Sequence, residues 1–408
     1  MLAPQAVRIF LAFAFTYFFS ALLRAVTATL APAFSSELGL RAADLGLLAG
    51  AYFLGFAAMQ LPLGRALDRF GPRRVLVALL ALAVLGCAGF ALARGLPALI
   101  AARTLIGVGV AAALMAPLTC FRHHYTAAAQ LRANSWMLMT GSLGMLASTL
   151  PVQLLLPSIG WRGLFWAVAV ALALSMALLM ALVPRDAPVA RAEAASDGGY
   201  REIVAHPLFR RMAPLGFFLY GGMIAVQALW AGPWLTRVAG WTPAAAAEGL
   251  FLVNLSMLFT FMAWGAVMPR LARRGLGAVP IMTWGVPLSL ALLALNIGLG
   301  GGAGAVHWAL WCVSTTVVSL SQPAVGQAFP AALAGRALSA FNLVIFGGVF
   351  CLQWGIGLAI DALGRAGWGE SDAFRIAFGA FWTACAVSYL AFVLSGRRGG
   401  DVRADNGR

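Results

Sequence analysis

An arginine inside an apolar segment is the residue of this chain best placed to do chemistry. Arg24 is the one charged side chain within residues 10–32. A lone cation in hydrocarbon is costly, so such a residue usually faces a wet cavity or a partner. A guanidinium fork suits a carboxylate, phosphate or nitrate because it donates two parallel hydrogen bonds. The alternative is a structural arginine that bonds backbone carbonyls or a neighbouring helix.

Polar neighbours of this arginine favour the first interpretation. Residues three, four and seven apart share one face of a helix. This spacing groups Arg24 with Thr16, Ser20 and Thr27, and Tyr17 lies beside them. No other apolar stretch carries a carboxylate near its middle that could neutralise the arginine. The segment therefore predicts a site that recognises an anion.

Aligned polar and aromatic side chains recur in the second half of the chain. They include Tyr220, Gln227, Trp230, Trp234, Asn254, Asn342, Phe346 and Gln353. A cavity with aromatic walls and a few donors suits a small organic solute. The alternative is packing between helices, with amides bridging them and tryptophans at the membrane interface. The predicted substrate-binding residues are Arg24, Tyr17, Ser20, Gln227, Trp230, Asn254, Asn342 and Gln353.

The elements that must position these residues are apolar helices. The 408 residues are 62% hydrophobic and 10% charged, whereas a soluble domain has about 25% charged residues. A helix needs roughly 20 apolar residues to cross a bilayer. Twelve segments, here called spans one to twelve, meet this requirement: 9–31, 43–63, 75–93, 98–119, 134–155, 162–183, 213–236, 247–268, 280–299, 307–330, 338–361 and 374–395. The sequence predicts an all-α protein that crosses the lipid bilayer twelve times.

The positive charge of the chain indicates its orientation. The formal net charge is +15, and all 28 basic residues are arginine. If the N-terminus is inside, cytoplasmic loops and tails hold 20 of them and external segments hold six. This bias follows the positive-inside rule and predicts that both termini are cytoplasmic. The positive charge is therefore explained by membrane topology and does not indicate binding of nucleic acid. Arginine in place of lysine indicates a GC-rich bacterial genome, so we expect a bacterial inner membrane.

The twelve spans divide into two halves. Residues 184–212 form a polar linker with prolines and glycines between an N-terminal bundle, 1–183, and a C-terminal bundle, 213–408. Basic loops after the second and eighth spans, 64–74 and 265–275, echo each other at an offset of 201 residues. Parallel six-helix repeats around a central site are typical of transporters.

The loop Gly64–Arg74, which reads GRALDRFGPRR, resembles the signature loop of the major facilitator superfamily. The matching residues are Gly64, Asp68, Arg69, Gly71, Arg73 and Arg74. In the fourth span, RTLIGVG from Arg103 is similar to the second signature of that family. The resemblance implies two pseudo-symmetric six-helix bundles and transport by alternating access. It also implies that the loop and Arg103 act in the conformational gate, with Asp68 locking the halves on the cytoplasmic side.

The residue types of the loop fit such a gate on physical grounds. Gly64 removes a side chain where two helices must approach closely. Gly71 permits a tight turn, and Asp68 can accept hydrogen bonds at a helix start. The alternative is a basic cytoplasmic loop without a gating role.

Within the superfamily, the first span is similar to that of organic-anion and phosphate-ester transporters. Tyr17, Arg24 and Pro32 reproduce their spacing of seven and eight residues. The resemblance implies that Arg24 binds the substrate anion. Those transporters carry a second arginine in the seventh span, where this chain has Ala225, so a carboxylate or another monoanion is favoured over a phosphate ester.

These features predict a secondary transporter of small, carboxylate-type organic anions rather than an enzyme. Two alternatives stay open: a multidrug or neutral-compound exporter of the same superfamily, and a transporter-like solute sensor. A coupling proton, a counter-anion and uncoupled transport are all possible, and we expect the protein to act as a monomer. The sequence predicts no cofactor and no metal site, because the five cysteines and paired histidines lack ligand spacing.

Overall fold

The computed structural model describes residues 4–184, 199–274 and 276–405, and these are helical almost throughout, with no strand. Nine helices among the described residues are long and apolar enough to cross a membrane. The helices in chain order are Pro4–Leu38, Ala42–Phe70, Pro72–Leu92, Leu96–Gly109, Met115–His124, Ala127–Ala147, Leu150–Leu182, Gly199–Ala205, Pro207–Val238, Pro243–Arg273, Ala278–Leu299, Ala305–Thr315, Ser321–Gln327, Ala331–Arg365 and Glu370–Asp405. The prediction of an all-α membrane protein is confirmed.

Three spans depart from a single straight helix. The fourth is Leu96–Gly109 followed by a turn and Met115–His124. The helix Leu150–Leu182 breaks at Gly160, whose φ of 63° is one that favours glycine. Residues 150–159 therefore complete the fifth span, and residues 161–182 form the sixth. In the tenth span, a 3-10 segment over Thr316–Leu320 joins two shorter helices.

The seventh span contains three wide turns of π-helix. They cover Gly216–Tyr220, Val226–Trp230 and Trp234–Val238. A π turn holds an extra residue, so side chains after it point in directions that a regular helix would not give. Such turns occur frequently at functional sites. The polar side chains of this span therefore do not point in the directions that regular helical spacing predicts.

The two halves pack against each other toward one side of the molecule. We call this side, with its loops at 39–41, 239–242 and 366–369, the distal face. The start of the first helix at Pro4 and the end of the last helix at Asp405 lie toward the opposite, proximal face. The first span contacts the seventh on this side. Gly232 lies so close to the first span that an added Cβ would be 2.5 Å from the Ala28 carbonyl oxygen. The second span meets the eleventh in the same way, at Gly46 and the Gln353 carbonyl. Helix backbones approach this closely only where side chains are missing.

The proximal ends of the helices do not show such contact at the predicted position. Among the described residues, a Cβ on Gly64 would meet no heavy atom within 4 Å, and the same holds for Gly265 in the second half. The expectation that Gly64 marks a close helix approach is therefore wrong for this conformation, because the halves are packed at the distal face. The described structure is thus one in which the distal side is closed.

The five cysteines differ in burial. Cys87, Cys120, Cys312 and Cys385 are buried. Cys351 is exposed on the eleventh span. Its helix packs its glycine side against the second span, which leaves other positions on the outer surface of the bundle.

Candidate functional site

Arg24 lies between the two halves without a counter-charge. The residue is half-buried, its Nε is buried with no hydrogen-bond partner, and the structure pairs it with no carboxylate among the described residues. Tyr17 and Tyr52 face the guanidinium from the first and second spans, and Tyr220 faces it from the seventh; all three interact with it electrostatically. The guanidinium carbon also lies 5.5 Å from the centre of the Phe56 ring. Tyr17, Tyr52, Phe56 and Tyr220 thus form an aromatic cage around the arginine, called the cage below.

A glycine of the fifth span fixes the position of Tyr17. A Cβ on Gly141 would lie 2.5 Å from Cε1 and 3.0 Å from the hydroxyl oxygen of Tyr17. The tyrosine ring therefore rests directly on the helix backbone at this point. On the first span, Thr16 shares a buried hydrogen bond with Ser175 of the sixth. These contacts hold the face that carries the arginine.

Ser20 lies one turn before Arg24 and is buried. Its hydroxyl has no hydrogen-bond partner, while its carbonyl accepts a 3.4 Å hydrogen bond from the hydroxyl of Tyr52. An unpartnered buried hydroxyl is a donor and acceptor that a bound solute or water can use. The role of Ser20 in solute binding stays a prediction.

Aromatic rings form the wall beside the cage. Tyr52 and Phe56 stack with their ring centres 6.2 Å apart and an interplanar angle of 17°. Phe346 of the eleventh span contacts Phe56 at 4.7 Å, edge to face, and Phe53 at 6.1 Å. Both halves thus contribute to one aromatic wall, which gives an organic solute apolar surface next to a cation.

Arg103 is held within the N-terminal half in this conformation, and its Nε and Nη1 are buried without a hydrogen-bond partner. Its Nη2 donates to the carbonyl of Leu23 at 2.8 Å and to the hydroxyl of Thr27 at 2.6 Å. Its guanidinium carbon lies 5.1 Å from the centre of the Tyr52 ring, and the residue is 1% exposed. All these partners belong to the N-terminal half, so the structure does not bring Arg103 to the contact between halves. Its gating role stays a prediction.

The two amides of spans seven and eight are paired with each other. The Gln227 side chain donates to the Asn254 carbonyl oxygen at 2.9 Å, and Asn254 donates to the carbonyl of Leu250 at 2.8 Å. Both residues are buried. This is the interhelical bridge that the sequence left open as an alternative, and a role in solute binding stays a prediction.

Trp230 and Gln353 lie in the closed distal packing. The indole of Trp230 donates to the Gln353 carbonyl at 3.2 Å, and the Gln353 side chain donates to the Ala225 carbonyl at 3.4 Å. Both side chains are 0% exposed. Trp234 is equally buried and packs edge to face on Trp308 at 5.1 Å. The structure therefore places these tryptophans in the protein interior, not at a membrane interface, and does not bring Trp230 or Gln353 to the cage.

Asn342 links the two halves on the proximal side of the aromatic wall. Its amide donates to the Gln60 carbonyl oxygen at 3.4 Å, and its own carbonyl oxygen accepts a hydrogen bond from Gln322. Gln60 and Asn342 are both buried. A buried amide bridge between halves must break or rearrange whenever they separate at this point.

The signature loop forms the predicted tight turn. Gly71 has a φ of 84° and separates the second span from the third. Arg73 donates to the Met180 carbonyl at 2.6 Å, which fastens the loop to the end of the sixth span. Arg69 lies over the Phe70 ring, and Arg74 also has a partner. The side chain of Asp68 lies outside the described part of the structure, so its predicted lock stays a prediction.

Two residues of the cage were missed at the level of sequence. Tyr52 and Phe56 are separated by four residues on the second span, and Gln60 follows after four more. That spacing places them on one helix face. A neutral aromatic face in an apolar segment resembles ordinary packing, which is why it gave a weak signal.

Comparison with known proteins agrees with this architecture. The sequence of residues 13–352 matches the family model of the Major Facilitator Superfamily. A probable sulfoacetate transporter of Cupriavidus necator is 29% identical over 245 residues, which are 55% of this chain and 56% of that protein. The chain thus aligns with about half the length of this curated relative.

Solved structures show the same fold at low sequence identity. A bacterial homologue of the human lysosomal transporter Spinster, in an inward-facing and unoccupied conformation, is 16% identical with a TM-score of 0.76, covering 97% of this chain and 98% of that chain. A D-xylose–proton symporter is 17% identical with a TM-score of 0.75, covering 96% and 97%. At these identities the likeness concerns the fold alone.

Proposed function

Because this chain belongs to the major facilitator superfamily, a family of small-solute transporters and not of enzymes, we propose that it carries small organic anions across a bacterial inner membrane. Arg24 is the residue that binds the anion. The observation that carries this proposal is the arginine itself: a cation between the halves whose Nε is buried without a partner. An incoming carboxylate or sulfonate supplies the missing acceptor and charge.

The cage around the arginine suits an oxyanion better than a cation or an uncharged solute. Tyr17 and Tyr220 carry hydroxyls that can each donate a hydrogen bond to an anion held by the guanidinium, whereas the Tyr52 hydroxyl donates to the Ser20 carbonyl and contributes its ring. The rings of Phe56 and Phe346 offer apolar contact for a short carbon chain. Charge, donors and apolar wall together define a small organic acid.

The curated relative supports the same chemical class. A probable sulfoacetate transporter carries a molecule with a sulfonate and a carboxylate, both of which are oxyanions. Its alignment covers about half of each chain, so it suggests the class of solute and not the particular solute. We therefore include sulfonates beside carboxylates among the expected substrates.

Alternating access follows from the way the cage is divided. Arg24, Tyr17 and Tyr52 belong to the N-terminal half, whereas Tyr220 and Phe346 belong to the C-terminal half. An anion bound to the arginine attracts the second-half phenol, so occupancy favours the halves closing around it. We propose that the distal face is extracytoplasmic, that both termini are cytoplasmic, and that a monomer performs the cycle.

Binding and exchange in one preparation test this function. Purified protein is screened by thermal shift against acetate, propionate, malonate, sulfoacetate, methanesulfonate, glycerol 3-phosphate, nitrate and a cationic dye. The anions that stabilise it are then tested by counterflow in proteoliposomes. We expect stabilisation by carboxylates or sulfonates and uptake of the labelled anion into preloaded vesicles.

Two arginine variants separate charge from geometry. Arg24→Gln should abolish both stabilisation and counterflow, because it removes the charge. Arg24→Lys keeps the charge but lacks the planar fork, so binding should be weakened rather than lost. Arg162→Gln, which changes an exposed arginine paired with Glu37, is the matched control and should leave both readouts intact. Stabilisation by the cationic dye, or by an anion even in Arg24→Gln, would refute the proposal and favour the exporter interpretation.

A further inference from the structure

We propose that Asp361 keeps the distal face closed through hydrogen bonds between the two halves, and we call this interaction the latch. Its carboxylate, on the eleventh span, holds the first residues of the second span and must release them before the distal face can open. This inference concerns the transport cycle and does not depend on which solute is carried.

The carboxylate caps a helix that belongs to the opposite half. Oδ1 of Asp361 accepts a hydrogen bond from the backbone N–H of Ala42 at 3.2 Å, and Oδ2 accepts one from Ala43 at 3.0 Å. These residues begin the helix Ala42–Phe70. The first N–H groups of a helix have no partner within it, and its N-terminal end carries positive potential. One side chain therefore satisfies two such groups and supplies a favourable charge across the halves.

The latch works only when the two spans are in backbone contact. One turn before Asp361, a Cβ on Gly357 would clash with the Ala42 carbonyl oxygen. Farther along the same two helices, Gly46 lies against the Gln353 carbonyl. Side chains are thus absent between the spans where the carboxylate reaches across. Any motion that opens the distal face pulls Asp361 away from the second span, so the hydrogen bonds exist in the closed state and are lost in the open one.

Water can reach the latch, which lowers the free-energy cost of its release. Asp361 is half-buried at the edge of a cleft of about 490 Å³ that also touches Arg41, Trp368 and Glu370. A released carboxylate is therefore hydrated at once and does not become a buried, unpaired charge. Arg237 makes a second contact across the halves, donating to Ser35 at 2.7 Å, and pairs with Glu370 of its own half at 3.3 Å.

Distances between spin labels on the distal face test the latch without any solute. The labelled positions are Ser36→Cys on the first span and Ser371→Cys at the start of the twelfth, both exposed, in a Cys351→Ser background. Double electron–electron resonance on the purified full chain then reports the separation of the halves. We expect one short-distance population in the parent protein.

Two variants remove opposite sides of the same interaction. Asp361→Ala deletes the acceptor. Ala42→Pro deletes one donor, and proline is tolerated at the first helical position after a residue already extended, as Arg41 is with φ −82° and ψ 175°. In each variant we expect a second, longer distance, with the open-to-closed ratio raised by about tenfold for Asp361→Ala and by less for Ala42→Pro.

Asp372→Asn is the matched control. This acidic residue lies on the same face but pairs with Arg375 of its own helix, so the distances should not change. Unchanged distances in Asp361→Ala, measured on protein that remains monodisperse, would overturn the latch. If Asp361→Ala does not fold, unchanged distances in Ala42→Pro overturn it instead.

Discussion

Replacing Gly141 with alanine should weaken anion binding although the glycine itself touches no anion. The new Cβ would lie 2.5 Å from Cε1 of Tyr17, whereas carbon atoms in contact are normally about 3.5–4.0 Å apart. The tyrosine ring must therefore move by about 1 Å, which lengthens a hydrogen bond of ordinary length beyond its useful range. Losing one hydrogen bond to a charged partner costs about 1.5 kcal/mol at the lower end of the usual range, or about tenfold in Kd.

The assay is calorimetric titration of the purified variant with the anion that best stabilises the parent protein. Tyr17→Phe, which deletes the hydroxyl without steric change, should raise Kd by a similar factor. Because both changes act through the same hydroxyl, the double variant should be no weaker than either single one. Gly89→Ala is the control, since its Cβ would make ordinary contact at 3.8 Å. An unchanged Kd in Gly141→Ala, or fully additive losses in the double variant, would refute the reasoning.

Three further substitutions probe other contacts. Tyr220→Phe removes the phenol of the opposite half, so the anion Kd should rise about threefold to tenfold in the same titration, with unfolding temperature unchanged. Asn342→Ala leaves the buried Gln60 amide without its cross-half partner, a cost of about 1–3 kcal/mol, and a lower midpoint of thermal unfolding should follow; an unchanged midpoint contradicts the bridge. Gly46→Val places a side chain against the Gln353 carbonyl, so the spans must separate and the distal spin-label distance should lengthen; an unaltered distance contradicts the close packing.

Length and hydropathy sufficed to predict where the apolar helices lie. Each of the twelve predicted spans overlaps a helix, because burying twenty apolar residues in lipid leaves the backbone no alternative to helical hydrogen bonding. Local irregularities could not be predicted in this way. The break at Gly160 and the π turn over Gly216–Tyr220 depend on packing against neighbours, which the hydropathy of one segment does not contain.

The candidate site was predictable where one helix carries it and unpredictable where several must meet. Arg24 and Tyr17 lie together because they share the first span, and helical spacing alone fixes that relation. Trp230 and Gln353 were grouped with them, yet they pack with each other near the distal face. Periodicity says which side of its own helix a residue occupies. It does not say which other helix lies opposite, and this is why Tyr52 was missed.

A binding site built on an arginine without a counter-charge also has an electrical consequence. If Arg24 holds a monoanion and no other ion moves with it, each cycle carries one negative charge across the bilayer. A potential of 100 mV, negative inside, opposes inward movement of that charge by about 2.3 kcal/mol, which is about a 50-fold concentration ratio. The same voltage drives the anion outward. Accumulation of the anion inside the cell by such a carrier therefore requires a co-transported cation or an exchanged anion, whereas export runs on the voltage alone, and flux into vesicles should rise when their interior is made positive.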